Sequence, residues 1–168
     1  MKEQQIHLRL ATSNLDLSKV TNDYYESYET YDRVGGFWTS TYRHDICCEW
    51  LHFKIYKPLA EVYNGYVFNV LSDAKIFTIN SFDKEEIVQN EYKNNYNLIA
   101  KDFDGIHLDG EYLDQLKKRH ADSLFLHWSC DSTWWFNTDK LKLGFTLNGE
   151  EIKNFAKISY KGFNLRPQ

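Results

Sequence analysis

The sequence predicts an α+β fold in which two small, mostly antiparallel sheets form a split core around a cleft, with two or three helices. Two observations predict it. Short strand-like runs recur along the chain, with few of the long crossovers that a parallel sheet requires. Aromatics reach 17% within a hydrophobic content of 42%, so 168 residues can fill one core without a metal or disulfide staple. With only two prolines and eight glycines there is no linker, and no internal repeat is found. The expectation is therefore one domain over 1–168.

The elements follow in order. Ile6–Leu10 alternates apolar and polar residues and reads as a strand that puts His7 and Arg9 on one face. The stretch 14–33, with Tyr24, Tyr28 and Tyr31 at helical spacing, reads as a helix or an ordered loop. Gly35-Gly36 breaks the chain before Phe37-Trp38-Thr39-Ser40-Thr41-Tyr42, a second strand. From Asp45, residues Ile46, Cys47, Trp50, Leu51 and Ile55 make one apolar helical face that ends before Pro58. Residues 65–71 and 74–79 are strands parted by Ser72-Asp73, and Ser81 or Asp83 caps a helix carrying Ile87, Val88 and Tyr92. Ile106-His107-Leu108 is another strand. Leu124–Trp128 and Ser132–Phe136 read as strand pieces around a polar break at Ser129-Cys130-Asp131. The alternation of Leu141, Leu143, Phe145 and Leu147 precedes Asn148-Gly149, a hairpin turn signal, and the tail beyond fits helix or strand.

Composition narrows the function classes. A formal net charge of -4 supplies no global attraction to nucleic acid, and the largest basic run is Lys117-Lys118-Arg119. Three cysteines, two of them adjacent, suit neither a disulfide framework nor a zinc site. With no long apolar window and no apolar stretch behind Met1, the expectation is a soluble, cytoplasmic protein that makes no membrane contact. There is no phosphate loop, dinucleotide-binding glycine fingerprint, zinc-protease helix or nucleophile elbow. The six histidines form no close pair on one helical turn, so no metal is expected, and His107 and His127 read as hydrogen-bonded residues in or beside the sheet.

Four features carry the chemical signal. They are His7 and Arg9, the string Gly35-Gly36-Phe37-Trp38-Thr39-Ser40-Thr41, the string Asp104-Gly105-Ile106-His107-Leu108, and the string Trp128-Ser129-Cys130-Asp131-Ser132-Thr133-Trp134. In order and spacing they resemble the ADP-ribosyltransferase superfamily, and more narrowly a group of small bacterial and phage proteins suspected of belonging to it. The likeness covers about 6–136 and leaves 137–168 as a C-terminal extension. It implies an ADP-ribosyltransferase-like fold with NAD as substrate: His7 or Arg9 would hold the adenosine ribose and phosphates, and Trp38, Thr39 and Ser40 would lie beside the nicotinamide. Asp131 would occupy the place of the catalytic acid, which is usually glutamate, so this chain departs from the pattern by one methylene.

The residue types suit that chemistry. Breaking the bond to nicotinamide passes through an oxocarbenium-like state, which a preorganised carboxylate stabilises. Arginine suits a pyrophosphate and tryptophan a flat ring. Each residue also has a structural alternative: a surface ion pair for Arg9, core packing for Trp38, a turn cap for Asp131. The implied function is transfer of ADP-ribose to a protein or nucleic acid, or NAD hydrolysis, as a toxin or in phage–host conflict. One alternative is a catalytically silent, nucleotide-binding or partner-inhibiting module of the same fold, which the aspartate at the usual glutamate position and the acidic pI favour; another, if Trp38 and Trp134 fill the cleft, is a structural interaction protein with no ligand.

Overall fold

A computed structural model describes residues 4–21, 23–26, 33–53, 56–119 and 122–162. The chain is α+β and divides into two compact units. Unit 1 comprises Met1–Leu15, Ser40–Val70 and Leu141–Gln168, and unit 2 comprises Asp16–Thr39 and Leu71–Lys140.

In unit 1, strand β1 (Gln4–Leu10) pairs antiparallel along its length with β5 (Tyr63–Val70), and at Gln5 and Ile6 with the end of β4 (Phe37–Thr41). Strand β9 (Leu141–Leu147) completes the order on the far side of β5, with an irregular register at Val67/Phe68. Alternation works as the sequence predicts: Ile6 and Leu8 are buried, while His7 and Arg9 are half-buried on the opposite face. Helix α5 (Gly149–Gly162) packs on β5, and helix α1 (Glu49–His52) and a 3₁₀ segment at Lys57–Val62 pack against α5 and each other. Leu51, Val67, Phe68 and Ile152 are fully enclosed, each contributing roughly 1.5–3 kcal/mol of apolar burial.

Unit 2 places β6 (Ile76–Ile79) parallel to β7 (Gly105–Leu108), which requires a long crossover; α2 (Phe82–Asn90) and α3 (Tyr96–Asp102) supply it. Strand β8 (Ser132–Trp135) runs antiparallel between β7 and the first residues of β4. Both β7 and β8 are buried at every position. Helix α4 (Gly110–Arg119) follows β7, starts on the Asp109 side chain, which accepts from the Tyr112 amide at 2.9 Å, and ends on Lys117, Lys118 and Arg119, favourably placed at the negative end of the helix dipole. A two-residue ladder joins β2 (Tyr25–Glu26) to β3 (Arg33–Val34); Tyr28, Tyr31 and Ile55 lie outside the described residues.

Several expectations are corrected. In place of two small sheets there is one mixed sequence of seven hydrogen-bonded strands, β6-β7-β8-β4-β1-β5-β9, besides the two-residue β2–β3 ladder, and the described residues include five α-helices and four 3₁₀ segments rather than two or three helices. The reason is β4: Phe37–Thr39 pair with β8, and Ser40 and Thr41 pair with β1, so one strand serves both ladders. The helix expected from Asp45 shrinks to four residues, because Arg43 and Cys47 exchange backbone hydrogen bonds at 2.8 Å and Cys47 adopts a left-handed φ of 70°. Leu124–Trp128 is a 3₁₀ helix, its first turn held by the Ser123 hydroxyl accepting from the Phe125 amide at 3.1 Å. Asn148-Gly149 starts α5 rather than a hairpin, since the Asn148 side chain accepts the Glu151 amide at 3.0 Å and the Glu151 carboxylate accepts the Asn148 amide at 2.7 Å. No helix among the described residues is long and apolar enough to cross a membrane.

Candidate functional site

Asp131 lies in unit 2, in the short connection between the Leu124–Trp128 helix and β8. The backbone entering it is unusual. Ser129 has φ 58° and ψ -46°, and the Cys130 amide donates to the Trp128 carbonyl at 2.5 Å, which closes a three-residue γ-turn of the strained kind. A non-glycine residue held there costs on the order of 1–3 kcal/mol. The turn is tied down from two sides: the Lys117 ammonium, on the last turn of α4, donates to the Ser129 carbonyl at 2.6 Å, and the Ser132 hydroxyl donates to the Cys130 carbonyl at 3.1 Å.

The product of this turn is a nearly enclosed carboxylate beside an imidazole. Asp131 Oδ2 is 3.6 Å from His107 Nε2, with side chains only 14% and 11% exposed. At that separation the two groups are close neighbours without a hydrogen bond. His107 stands on β7, and its Nδ1 is 2.9 Å from the hydroxyl of Thr133 on β8, its cross-strand partner. The ring is thus held between the Thr133 hydroxyl at Nδ1 and the Asp131 carboxylate near Nε2. Thr133 is fully buried and holds the ring from behind.

Aromatic residues close around the same strands. Trp38 on β4 stacks on its cross-strand partner Trp134, with centroids 5.2 Å apart at 17°, and meets Trp128 edge-on at 4.8 Å. Trp134 in turn requires the glycine pair: its indole nitrogen donates to the Gly35 carbonyl at 2.8 Å, and a Cβ on Gly36 would sit 2.3 Å from that nitrogen. Gly35 and Gly36 both have positive φ, so they serve as more than a chain break.

No family model, curated protein or solved structure matches the chain. Function must therefore be argued from the site itself.

The six residues singled out in the sequence fall into both units: Trp38, Thr39 and Asp131 in unit 2, and His7, Arg9 and Ser40 in unit 1. Thr39 is completely buried, and its hydroxyl accepts from the Trp135 indole at 2.8 Å. Ser40 is also buried, opposite Ile6. His7 packs edge-on to Trp50 at 6.0 Å. Arg9 faces Asn64 across the β1–β5 ladder, and its Nε is buried with no hydrogen-bond partner among the described residues. Such a donor gains most from an anionic acceptor.

Sequence reasoning missed three participants: His107 as partner of Asp131, Lys117 as clamp on the turn, and Ser129 as the strained residue. The Asp-Gly-Ile-His-Leu string marked the first of these, but nothing local says that β7 and β8 are neighbours. No group of three or more His, Cys, Asp or Glu among the described residues is placed to hold a metal.

Proposed function

We propose that the chain cleaves the nicotinamide–ribose bond of NAD, as an ADP-ribosyltransferase acting on a macromolecule or as an NAD glycohydrolase, in the setting of a toxin or of phage–host conflict. Asp131 is the catalytic acid of this reading. The observation that carries it is the placement of that carboxylate, nearly enclosed, steadied by His107 and delivered by a backbone turn that pays a conformational cost. Strain retained beside a buried charge is what a preorganised electrostatic site requires, and a fixed negative group facing developing positive charge is among the largest catalytic effects. His107 acts as a positioning residue, and Trp38 offers an aromatic surface for the leaving ring.

A specific observation favours a second reading, the catalytically silent nucleotide-binding or partner-inhibiting module. One face of Trp38 is already stacked on Trp134, and the Thr39 hydroxyl is already bonded to Trp135. The two readings separate in one experiment. The full chain is incubated with NAD, with and without host lysate, and free nicotinamide and ADP-ribose adducts are followed by mass spectrometry while calorimetry follows NAD binding. Nicotinamide release supports the enzyme. Binding without release supports the silent module. No heat with millimolar NAD, ADP-ribose or nicotinamide, and no release, overturns both.

A further inference from the structure

A cleft of about 430 Å³, wholly within unit 2, is built from residues that the reading above leaves unused. That volume falls within the roughly 300–1,000 Å³ range of small-molecule pockets. The buried rings of Tyr24 and Phe136 form its base, with centroids 4.7 Å apart, and the Tyr24 hydroxyl donates to the Phe136 carbonyl at 2.7 Å. Leu17 and Val20 line one side, on a 3₁₀ turn (Leu17–Lys19) started by the Asp16 carboxylate, which accepts the Ser18 amide at 3.1 Å. Asn137, Thr138 and Asp139 line the other. Asp104 fixes that second side: its carbonyl accepts the Phe136 and Asn137 amides at 2.8 and 3.0 Å, and its carboxylate accepts the Asn137 side-chain amide at 2.8 Å. The polar groups of the cleft are therefore set in place before any ligand arrives, which lowers the ordering cost of binding.

The lining combines one negative charge with groups that both donate and accept. Asp139 is exposed, and neither its carboxylate nor the Thr138 hydroxyl has a hydrogen-bond partner among the described residues. The Asn137 side-chain oxygen accepts the Asp139 amide at 3.1 Å and its nitrogen donates to Asp104, which leaves each with capacity for one more bond. Among the described residues no lysine, arginine or histidine lines the cleft, and the lysines beside it in sequence are engaged elsewhere, Lys19 with Asp16 at 3.4 Å and Lys140 with Asp73 at 2.7 Å. An anion would meet Asp139 with no lining cation to offset it, so this cleft is not a second place for NAD. A guanidinium, which only donates, would suit the carboxylate but not the donors of Thr138 and Asn137, and a simple alkylammonium would leave both to water. An ammonium matches the carboxylate, and hydroxyls match threonine and asparagine in both directions.

We propose that this cleft binds an amino sugar, a protonated amine on a polyhydroxylated ring, with the ammonium on Asp139 and ring hydroxyls on Thr138 and Asn137. The test uses protonated glucosamine as the probe on the full chain, read by calorimetry and by backbone amide NMR shifts at Thr138 and Asp139. The expected result is saturable one-to-one binding with a Kd of about 1 mM or tighter, and glucose weaker by on the order of tenfold or more. Asp139→Asn should weaken glucosamine by on the order of tenfold or more and leave glucose unchanged, because the shape is kept and only the charge is lost. Thr138→Val should weaken both sugars by about threefold or more, as the loss of one hydrogen bond requires. Circular dichroism and the melting profile check that both variants keep the fold, and should either fail to fold, the comparison of glucosamine with glucose on the wild type decides. The proposal is overturned if glucosamine does not bind, if glucose, n-butylammonium or calcium binds as tightly, if the amide shifts fall elsewhere in the chain, or if the folded variants bind like the wild type.

Discussion

Two short connections in this chain solve the same problem in opposite ways. At Asn148–Glu151 the polypeptide leaves β9 and enters α5 through a reciprocal cap in which each residue's side chain satisfies the other's amide, at 3.0 and 2.7 Å. At Trp128–Asp131 it leaves a 3₁₀ helix and enters β8 through a γ-turn with a non-glycine residue at positive φ, clamped by Lys117. The first connection lowers the free energy of the fold and presents only its own backbone. The second raises it and presents a carboxylate to an imidazole. Where sequence could have chosen an easy turn and did not, function is the explanation to test first.

The largest expected effect tests whether the strained connection has a chemical purpose. Asp131→Asn keeps the shape and removes the charge, so nicotinamide release should fall by on the order of 10²-fold or more, with little change in NAD affinity by calorimetry. Unchanged turnover would reduce Trp128–Asp131 to a turn like any other. Next comes a steric break on the relaxed side. Gly149→Ala brings a Cβ to 2.3 Å from the Glu61 carbonyl and should cost about 1–3 kcal/mol in denaturant unfolding.

Asn148→Ala removes the cap and should cost about 1 kcal/mol without altering any activity. Ser129→Gly should do the reverse. It relieves the torsional cost, so stability should stay level or rise by up to about 1 kcal/mol, while turnover falls because Asp131 is less firmly held. A Ser129→Gly protein that loses stability would show that the turn is not strained. The smallest effect concerns pH. Burial holds the His52 imidazole below its usual value near 6.5, the Ile46 carbonyl bonded at 2.8 Å opposes the shift, and Lys57 adds to it. The folded state therefore keeps His52 neutral while the unfolded chain takes up a proton. Stability present above about pH 6.5 should be lost as pH falls towards the depressed folded value, and His52→Gln should flatten that part of the denaturation profile.

The strands were legible where residues alternate or crowd with β-formers: β1, β4, β5, β6, β7, β8 and β9 all lie where the pattern puts them, to within a few residues. What failed was the meaning of short apolar or turn-like words. Leu124–Trp128 reads as a strand by composition, yet a single hydroxyl at Ser123 suffices to wind it. Asn148-Gly149 is a hairpin signal only if the next residues continue as a strand, and Glu151 makes the same asparagine a helix cap. The apolar face from Asp45 was interrupted by a bridge between Arg43 and Cys47 that no periodicity records. At the candidate site, Asp131 and the string bearing His107 could be singled out by local oddity. Their pairing could not, because it depends on β7 lying beside β8, and that adjacency is decided by long-range packing.

The discontinuity of unit 1 has a consequence during synthesis. Its sheet needs β5 to meet β9, and the ribosome must make all of Leu71–Lys140 between them. While that stretch emerges and collapses on its own core, β5 waits with one row of amides and carbonyls unpaired, an open template for any extended chain nearby. A polypeptide ending before Leu141 therefore carries an open border along β5 that Leu141–Leu147 covers in the folded chain.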